Sequence, residues 1–408
     1  MGWVEQYLGI SFHPGPMLVF GVFVLFGVLG GIIANRISWL PTISGFMALG
    51  FLIGPHGLSL VTRGMLHDSA VLTTIAMGLI LYKLGCALHP KEMLYSRSLI
   101  LMALFEVFLC FGIIFYIIRV AGFSMLHAWI VAAIAISSSP AVLVHVAAEM
   151  RAKGPVTDRA KSLIAINNFL SFMLFSMAIP YAIGKSGGIA VTNAVAYTVY
   201  RFAGAFAAGF LIAWISVRLA RMLKPQDEHY RFSIVIGSIT LTLGICRMLG
   251  FSALLAPLVL GSATRWFETS RHNLSRVTLG EGGDLFFIIL FVFAGAKLNP
   301  AMVISAGLLP VLLVMARVGG KALGVYAAAK LDQKAEKPRV LSISLLLMPM
   351  ASMALGLVLT ASRIVPDMAR EISAVIIAMI AILETIGPIA TKEAFLLSGE
   401  AGLENEAP

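Results

Sequence analysis

Thirteen apolar runs follow one another along the chain, at roughly 16–35, 40–57, 69–88, 98–118, 127–149, 160–183, 196–222, 231–249, 252–267, 284–303, 306–329, 340–362 and 371–391. About 20 apolar residues in a helix span the hydrocarbon core of a bilayer. A helix satisfies its backbone polar groups within itself, as lipid requires. The succession therefore predicts an all-α polytopic membrane protein of about thirteen transmembrane helices. Composition supports this, with 59% hydrophobic residues, 12% charged residues and a mean hydropathy of +0.93. These values exclude a soluble globular domain of 408 residues. A single transmembrane domain over 1–408 is expected, with a short tail at 392–408. The start, "MGWVEQYLGI", lacks the basic residues of a signal peptide.

A net charge of +10 could suggest a nucleic-acid partner, but the basic residues cluster in the short loops between apolar runs. With thirteen spans, nineteen of them fall on one side, from Arg36 to Lys392, and six on the other: Arg63, Arg119, Lys185, Arg247, Arg363 and Arg370. Cytoplasmic loops carry the excess of Lys and Arg. The expectation is a multi-pass protein of the plasma or inner membrane, with the N-terminus outside and the C-terminus in the cytoplasm. The partners expected are lipid and small ions, with no nucleic acid. The three cysteines lie in apolar runs, so they imply neither a disulfide framework nor a metal site. No phosphate-cradling loop, nucleophile–base pair or metal-ligand spacing is present, so neither an enzyme nor a cofactor is expected.

An internal repeat shows in three places. "GCALHP" (Gly85 to Pro90) returns as "GAKLNP" (Gly295 to Pro300), 210 residues later. "SSSPAVL" (Ser137 to Leu143) and "MPMASMAL" (Met348 to Leu355) interrupt spans 5 and 12, with Pro140 and Pro349 209 residues apart. "GFLIGP" in span 2 matches "APLVLG" in span 9 at a similar offset. Spans 1–6 (about 16–183) thus pair with spans 8–13 (about 231–391), and the helix at 196–222 links them. An odd shift of seven spans inverts one half relative to the other, a mark of secondary transporters. Proline in mid-helix removes a backbone hydrogen bond. Ser137, Ser138 and Ser139, and Ser352 in the second half, can coordinate the freed groups. Crossed discontinuities are expected at Ser137–Pro140 and Pro349–Ser352.

Charges inside spans are costly and should pair or face a cavity. Glu106 in span 4 and Arg317 in span 11 sit near equivalent repeat positions and are expected to pair. Lys321 lies one turn beyond Arg317, about 14 Å before the basic loop at Lys330 and so near the midplane. Asn167 and Asn168 sit in span 6, in "SLIAINNFLSFML", roughly 10 Å past Lys161. Two amides at that depth should face the broken helices and water rather than lipid. Glu384 is expected in a structural pair, and His145 as a satisfied buried imidazole.

The segments "LPTISGFMALGFLIGPHGL", "GLILYKLGCALHPKEM", "AISSSPAVL", "ARVGGKALG" and "ETIGPIATKEAFLLSGE" occur in this order. Together they resemble the second family of monovalent cation–proton antiporters, over roughly residues 16–400. The resemblance implies the sodium/proton antiporter fold, a homodimer through a panel domain of spans 1–3 and 8–10, and a core domain holding the two broken helices. It implies alternating access, with a monovalent cation and a proton as ligands. It also implies an ion site at positions 167 and 168, where the family carries Asp-Asp, Asn-Asp or Gln-Asp, and a core lysine at Lys321 near Asn167. This chain has Asn-Asn, and an amide cannot titrate. Three readings stay open: cation/proton exchange (Na+ or K+) with Lys321 carrying the proton, transport of another solute such as an anion, or a transport-inactive regulatory or structural paralogue.

Overall fold

The computed structural model describes residues 16–402 except 38, 88–95, 188–190, 223–227, 269–273, 275–279, 332–336, 351–352, 355, 359–360 and 362–371. Among these the secondary structure is helical throughout. The helices are α1 (Pro16–Asn35), α2 (Thr42–Ile53), α3 (Arg63–Asp68), α4 (Ala70–Ala87), α5 (Arg97–Val120), α6 (Met125–Ile136), α7 (Pro140–Glu149) and α8 (Pro155–Gly187). There follow α9 (Val191–Ala220), α10 (Glu228–Leu249), α11 (Leu255–Phe267), α12 (Gly280–Ala296), α13 (Pro300–Ser305), α14 (Leu309–Leu331), α15 (Lys337–Leu346) and α16 (Ser373–Ser398). Each expected span coincides with a helix or with a helix broken in two. Among the described residues, eight helical stretches are long and apolar enough to cross a bilayer, and α2 and parts of α4 and α12 form shorter apolar helices. The short helix α3 was not expected from the apolar pattern, and the expected span 284–303 is interrupted at 297–299, between α12 and α13. α16 runs to Ser398, beyond the expected 391, and stops where Gly399 turns left-handed at φ 71°.

Two compact units emerge, Met1–Ala76 with Gly280–Leu298, and Met77–Leu279 with Asn299–Pro408. In the first, α1, α2 and α12 pack on one another. Gly30 and Gly45 let the α1 and α2 backbones meet: a Cβ on Gly45 would stand 2.2 Å from the Gly30 carbonyl oxygen. In the second unit α9 packs on α10 and α11, and α5 lies along α14. α6 packs on both α5 and α8, and α15 packs on α14 and α16. α6 is buried nearly all round from Ala128 to Ile136, as a helix at the centre of a bundle should be.

Both expected breaks are present. α6 ends at Ile136, Ser137–Ser139 run without helical bonding, and α7 begins with Pro140 in its first turn, capped by Ser139 Oγ, which accepts from the Val142 N–H at 3.3 Å. Proline is tolerated there because the first turn has no intrahelical acceptor for its N–H. The second break follows α15. Leu347 closes a last turn on Ile343 (3.1 Å), Met348–Met350 are non-helical, and helix resumes at 353. Ser352 lies outside the described residues. The two breaks touch: the Ser139 N–H donates to the Pro349 carbonyl at 2.8 Å, and Ser138 Oγ donates to the Leu347 carbonyl at 2.8 Å.

The α5–α14 pairing depends on small residues in "GGKALG". A Cβ on Gly324 would lie 2.3 Å from Glu106 Cα, and one on Gly320 would lie 2.9 Å from Cys110 Cα. Small residues four apart permit such contact between membrane helices. Gly319, their neighbour, has open space around it. Gly324→Val is expected to cost about 2 kcal/mol or more by forcing the helices apart, while Gly319→Val should be tolerated. Thermal unfolding of the two variants in lipid nanodiscs checks the contrast.

Candidate functional site

The site forms where the two broken helices meet. A helix leaves its last carbonyls without intrahelical partners, and its C-terminus carries roughly half a negative charge. α6 and α15 both end here, away from water. Arg317, fully buried on α14, answers both ends with one guanidinium. Its Nε donates to the Ala135 carbonyl at 2.7 Å and its Nη2 to the Ser137 carbonyl at 2.7 Å. Its Nη1 donates to the Met348 carbonyl at 2.5 Å, and Nη2 also reaches the Leu347 carbonyl at 3.3 Å. The first pair belongs to the first break and the second pair to the other. Only a planar fork with several fixed donors can span both.

Lys321, one helical turn further along α14, is also buried. Its ammonium forms an ion pair with Glu106 Oε1 of α5 and donates to the Ile136 carbonyl at 2.9 Å. The expected Glu106–Arg317 pair is therefore corrected: Glu106 pairs with Lys321. Residues 317 and 321 are four apart and share one face of α14, so either could have met α5. Arg317 is drawn instead to the carbonyls of the breaks. Glu106 is completely buried, and its Oε2 has no hydrogen-bond partner.

Asn167 and Asn168 lie on α8, both buried. The Asn168 Oδ1 accepts the Ser138 N–H at 3.0 Å, which ties α8 to the first break. Its Nδ2 has no partner, and in Asn167 neither amide atom has one. Lys321 thus bonds to Glu106 rather than to Asn167, next to which it was expected. Nearby bonds hold α6 and α8 in register. Ser171 Oγ donates to the Ala133 carbonyl at 2.7 Å, and Trp129 Nε1 to the Leu174 carbonyl at 2.9 Å. Asn168 opens onto a crevice lined mainly by apolar side chains, among them Leu81, Leu84, Phe169, Phe172 and Leu258. Phe202 of α9 projects into it, edge-on to Phe169 (5.7 Å between ring centroids) and Phe172 (4.9 Å). Among the described residues no three His, Cys, Asp or Glu side chains cluster as a metal site. Ser137 Oγ donates to the Ile134 carbonyl at 2.8 Å. Lys297 lies against the Phe293 ring at 4.2 Å.

One contributor escaped the sequence reading. Glu400, just after α16, caps the N-terminus of α8: its carboxylate accepts the Val156 N–H (2.7 Å), the Thr157 N–H (2.8 Å) and the Thr157 hydroxyl (2.6 Å). A carboxylate suits the positive end of a helix. A Cβ on Gly154 would stand 2.4 Å from this carboxyl, so glycine leaves it room. The cap explains why α8 starts at Pro155, earlier than the apolar pattern alone suggests. Its only sequence signal was the final Glu of "ETIGPIATKEAFLLSGE".

Neutralising one member of a buried ion pair strands the other. Glu106→Gln and Lys321→Gln are each expected to lose roughly 3–5 kcal/mol of stability. The double variant should recover most of it, because it strands no charge. Melting temperatures of the three variants, measured in the same detergent or lipid, test this.

Two structures of the sodium proton antiporter MjNhaP1 from Methanocaldococcus jannaschii share the fold. The one determined at pH 8 aligns at a TM-score of 0.69 and 18% identity, covering 94% of this chain and 95% of that one. The electron-microscopy structure aligns at 0.74 and 18%, covering 96% and 98%. No curated protein matches by sequence. The family of transmembrane sodium/hydrogen exchangers matches over residues 21–395. With nearly its whole length matched in sequence and its helices arranged as in an antiporter, the chain belongs to the sodium/hydrogen exchanger transmembrane family.

Proposed function

We propose that the chain is a secondary active antiporter that exchanges a monovalent cation, Na+ or K+, for protons by alternating access, with Asn167 and Asn168 at the cation site. The observation that carries this is Asn167. It is fully buried beside the broken-helix crossing, yet both its amide atoms lack a partner. An unsatisfied buried polar group costs about 1–3 kcal/mol, and a ligand that coordinates it offsets that cost. The Asn167 carbonyl oxygen supplies one ligand to a desolvated cation. The hydroxyl oxygens of Ser137, Ser138 and Ser139, whose own protons or lone pairs already hold the break in place, supply others. Ser352 belongs to the same set on sequence grounds. The similar structures are those of a sodium proton antiporter, which supports the ion class. The protein works in this reading as a homodimer in the plasma or inner membrane, N-terminus outside, and a mass measurement in native-like lipid tests the dimer.

A second reading has one observation in its favour. The Asn168 oxygen is already taken by the Ser138 N–H, so the free atom of that amide is Nδ2, a donor. Donors near the α7 N-terminus suit an anion. Lys321 adds little to this reading, because Glu106 already pairs with it.

A pH jump across proteoliposomes, with sodium, potassium, lithium or an anion as the only co-ion, separates the readings. The expected result is pH-driven flux that depends on the cation and not on the anion. Flux that follows the anion favours the second reading, and no flux with any ion marks a transport-inactive chain. Asn167→Ala is expected to abolish cation-dependent flux. Asn168→Asp, which keeps the oxygen facing the Ser138 N–H and adds a titrating group, is expected to shift the pH dependence of the rate.

A further inference from the structure

We propose that Glu106 carries the exchanged proton, taken up at its free Oε2. The inference rests on the antiport reading above and names the titrating group that the amide pair cannot provide.

Four observations support it. The first is chemical: antiport needs a group that holds a proton in one half of the cycle, and neither Asn167 nor Asn168 can. The second is geometric. Glu106 is completely buried, Lys321 holds only its Oε1, and its Oε2 has no partner. A proton arriving at Oε2 breaks no existing bond. Removing one from Lys321 would instead weaken an ammonium held by two acceptors, Glu106 and the Ile136 carbonyl.

The third is connectivity within one compact unit. The Lys321 ammonium bridges Glu106 to Ile136, the last residue of α6. Two residues later the Ser138 N–H is held by Asn168. A change at the ion pair is therefore felt by the backbone segment that positions the amide site. The fourth is charge. Lys321 and Arg317 are fixed cations beside the breaks, and ionised Glu106 cancels one of them. Protonated Glu106 cancels neither, so a cation at the amides then meets one more unit of positive charge where screening is poor. Cation and proton would exclude each other without sharing a ligand. One proton enters from water at Oε2 and leaves to water as one cation enters, so the exchange moves no net charge.

The groups around Glu106 allow this assignment. α14 contributes Lys321 and Arg317, and α5 itself contributes Cys110. α6 carries His127 in its first turn. α8 brings Arg159 to Ser98 near the start of α5, two turns from Glu106. None of these is a second carboxylate.

The test is pH-driven cation exchange in proteoliposomes by wild type, Glu106→Asp, the double variant Glu106→Gln/Lys321→Gln, and that double variant with Asn168→Asp added. Wild type should exchange without generating current. The double variant should melt near wild type yet lose pH-driven exchange, and adding Asn168→Asp should restore it. Glu106→Asp should move the pH midpoint of the rate. If the double variant exchanges like wild type with the same pH profile, Glu106 is structural and the assignment is overturned while antiport stands. If the double variant does not fold, Glu106→Asp decides, and an unmoved pH midpoint overturns the assignment. A wild type without cation flux overturns the antiport reading, and this inference with it.

Discussion

Two helices stop in the interior of this protein, and their exposed carbonyls must be met by something other than water. In a membrane core every such group needs a protein partner. Arg317 meets it for both helices, with bonds to Ala135 and Ser137 on one side and to Leu347 and Met348 on the other. Its position then dictates much else. α14 must pass close to both breaks, so it must lie tightly on α5. That closeness requires glycine at 320 and 324. With the helices so close, a second cation one turn away, Lys321, falls on α5 and requires Glu106. The glycines, the arginine and the ion pair are consequences of one geometric demand.

The same demand locks the breaks together. Ser138 and Ser139 of the first bond to the backbone of the second at Leu347 and Pro349. Asn168 then fastens α8 to the first break. At the far end of the same helix, Glu400 joins the end of α16 to the α8 N-terminus. A helix that carries a candidate ligand site is thus fixed at its start by a cap and in its middle by a broken helix. Movement of either anchor must displace Asn167 and Asn168 as well, which is the mechanical property that the proposed alternating access needs.

Much of this was legible in the sequence. Apolar periodicity located the helices because lipid imposes one length and one composition on every span. The breaks were legible because proline has a single, local effect on a helix. The charge pairing was not legible at the level of partners. Arg317 and Lys321 share a face, and only the three-dimensional convergence of two carbonyl groups at Arg317 decides which of them meets Glu106. Glu400 was hidden for a similar reason: it caps a helix that starts 245 residues earlier in the chain, at Pro155, and a cap that distant leaves no local pattern. The start of α8 was misjudged because this tertiary cap, rather than hydropathy, sets it.

Charge matching explains why positions 167 and 168 can both be amides. Arg317 is matched by carbonyls at two negative helix ends, and Lys321 by Glu106 and the Ile136 carbonyl. Neither of these two cations is left unmatched. A carboxylate at 168 could accept the Ser138 N–H as the amide does, since the two side chains have one shape, but it would be an unmatched buried anion. Unmatched buried charge is costly unless a proton or a counter-ion neutralises it. An empty carboxylate core therefore leaves an unmatched charge, whereas an empty amide core leaves only unpaired neutral groups, at a smaller cost. Two asparagines lower the cost of the empty state and, with it, the electrostatic pull on a cation. In the antiport reading proposed above, coordination would then come from neutral oxygens, and control of occupancy from charges one layer away, on the faces of α5 and α14.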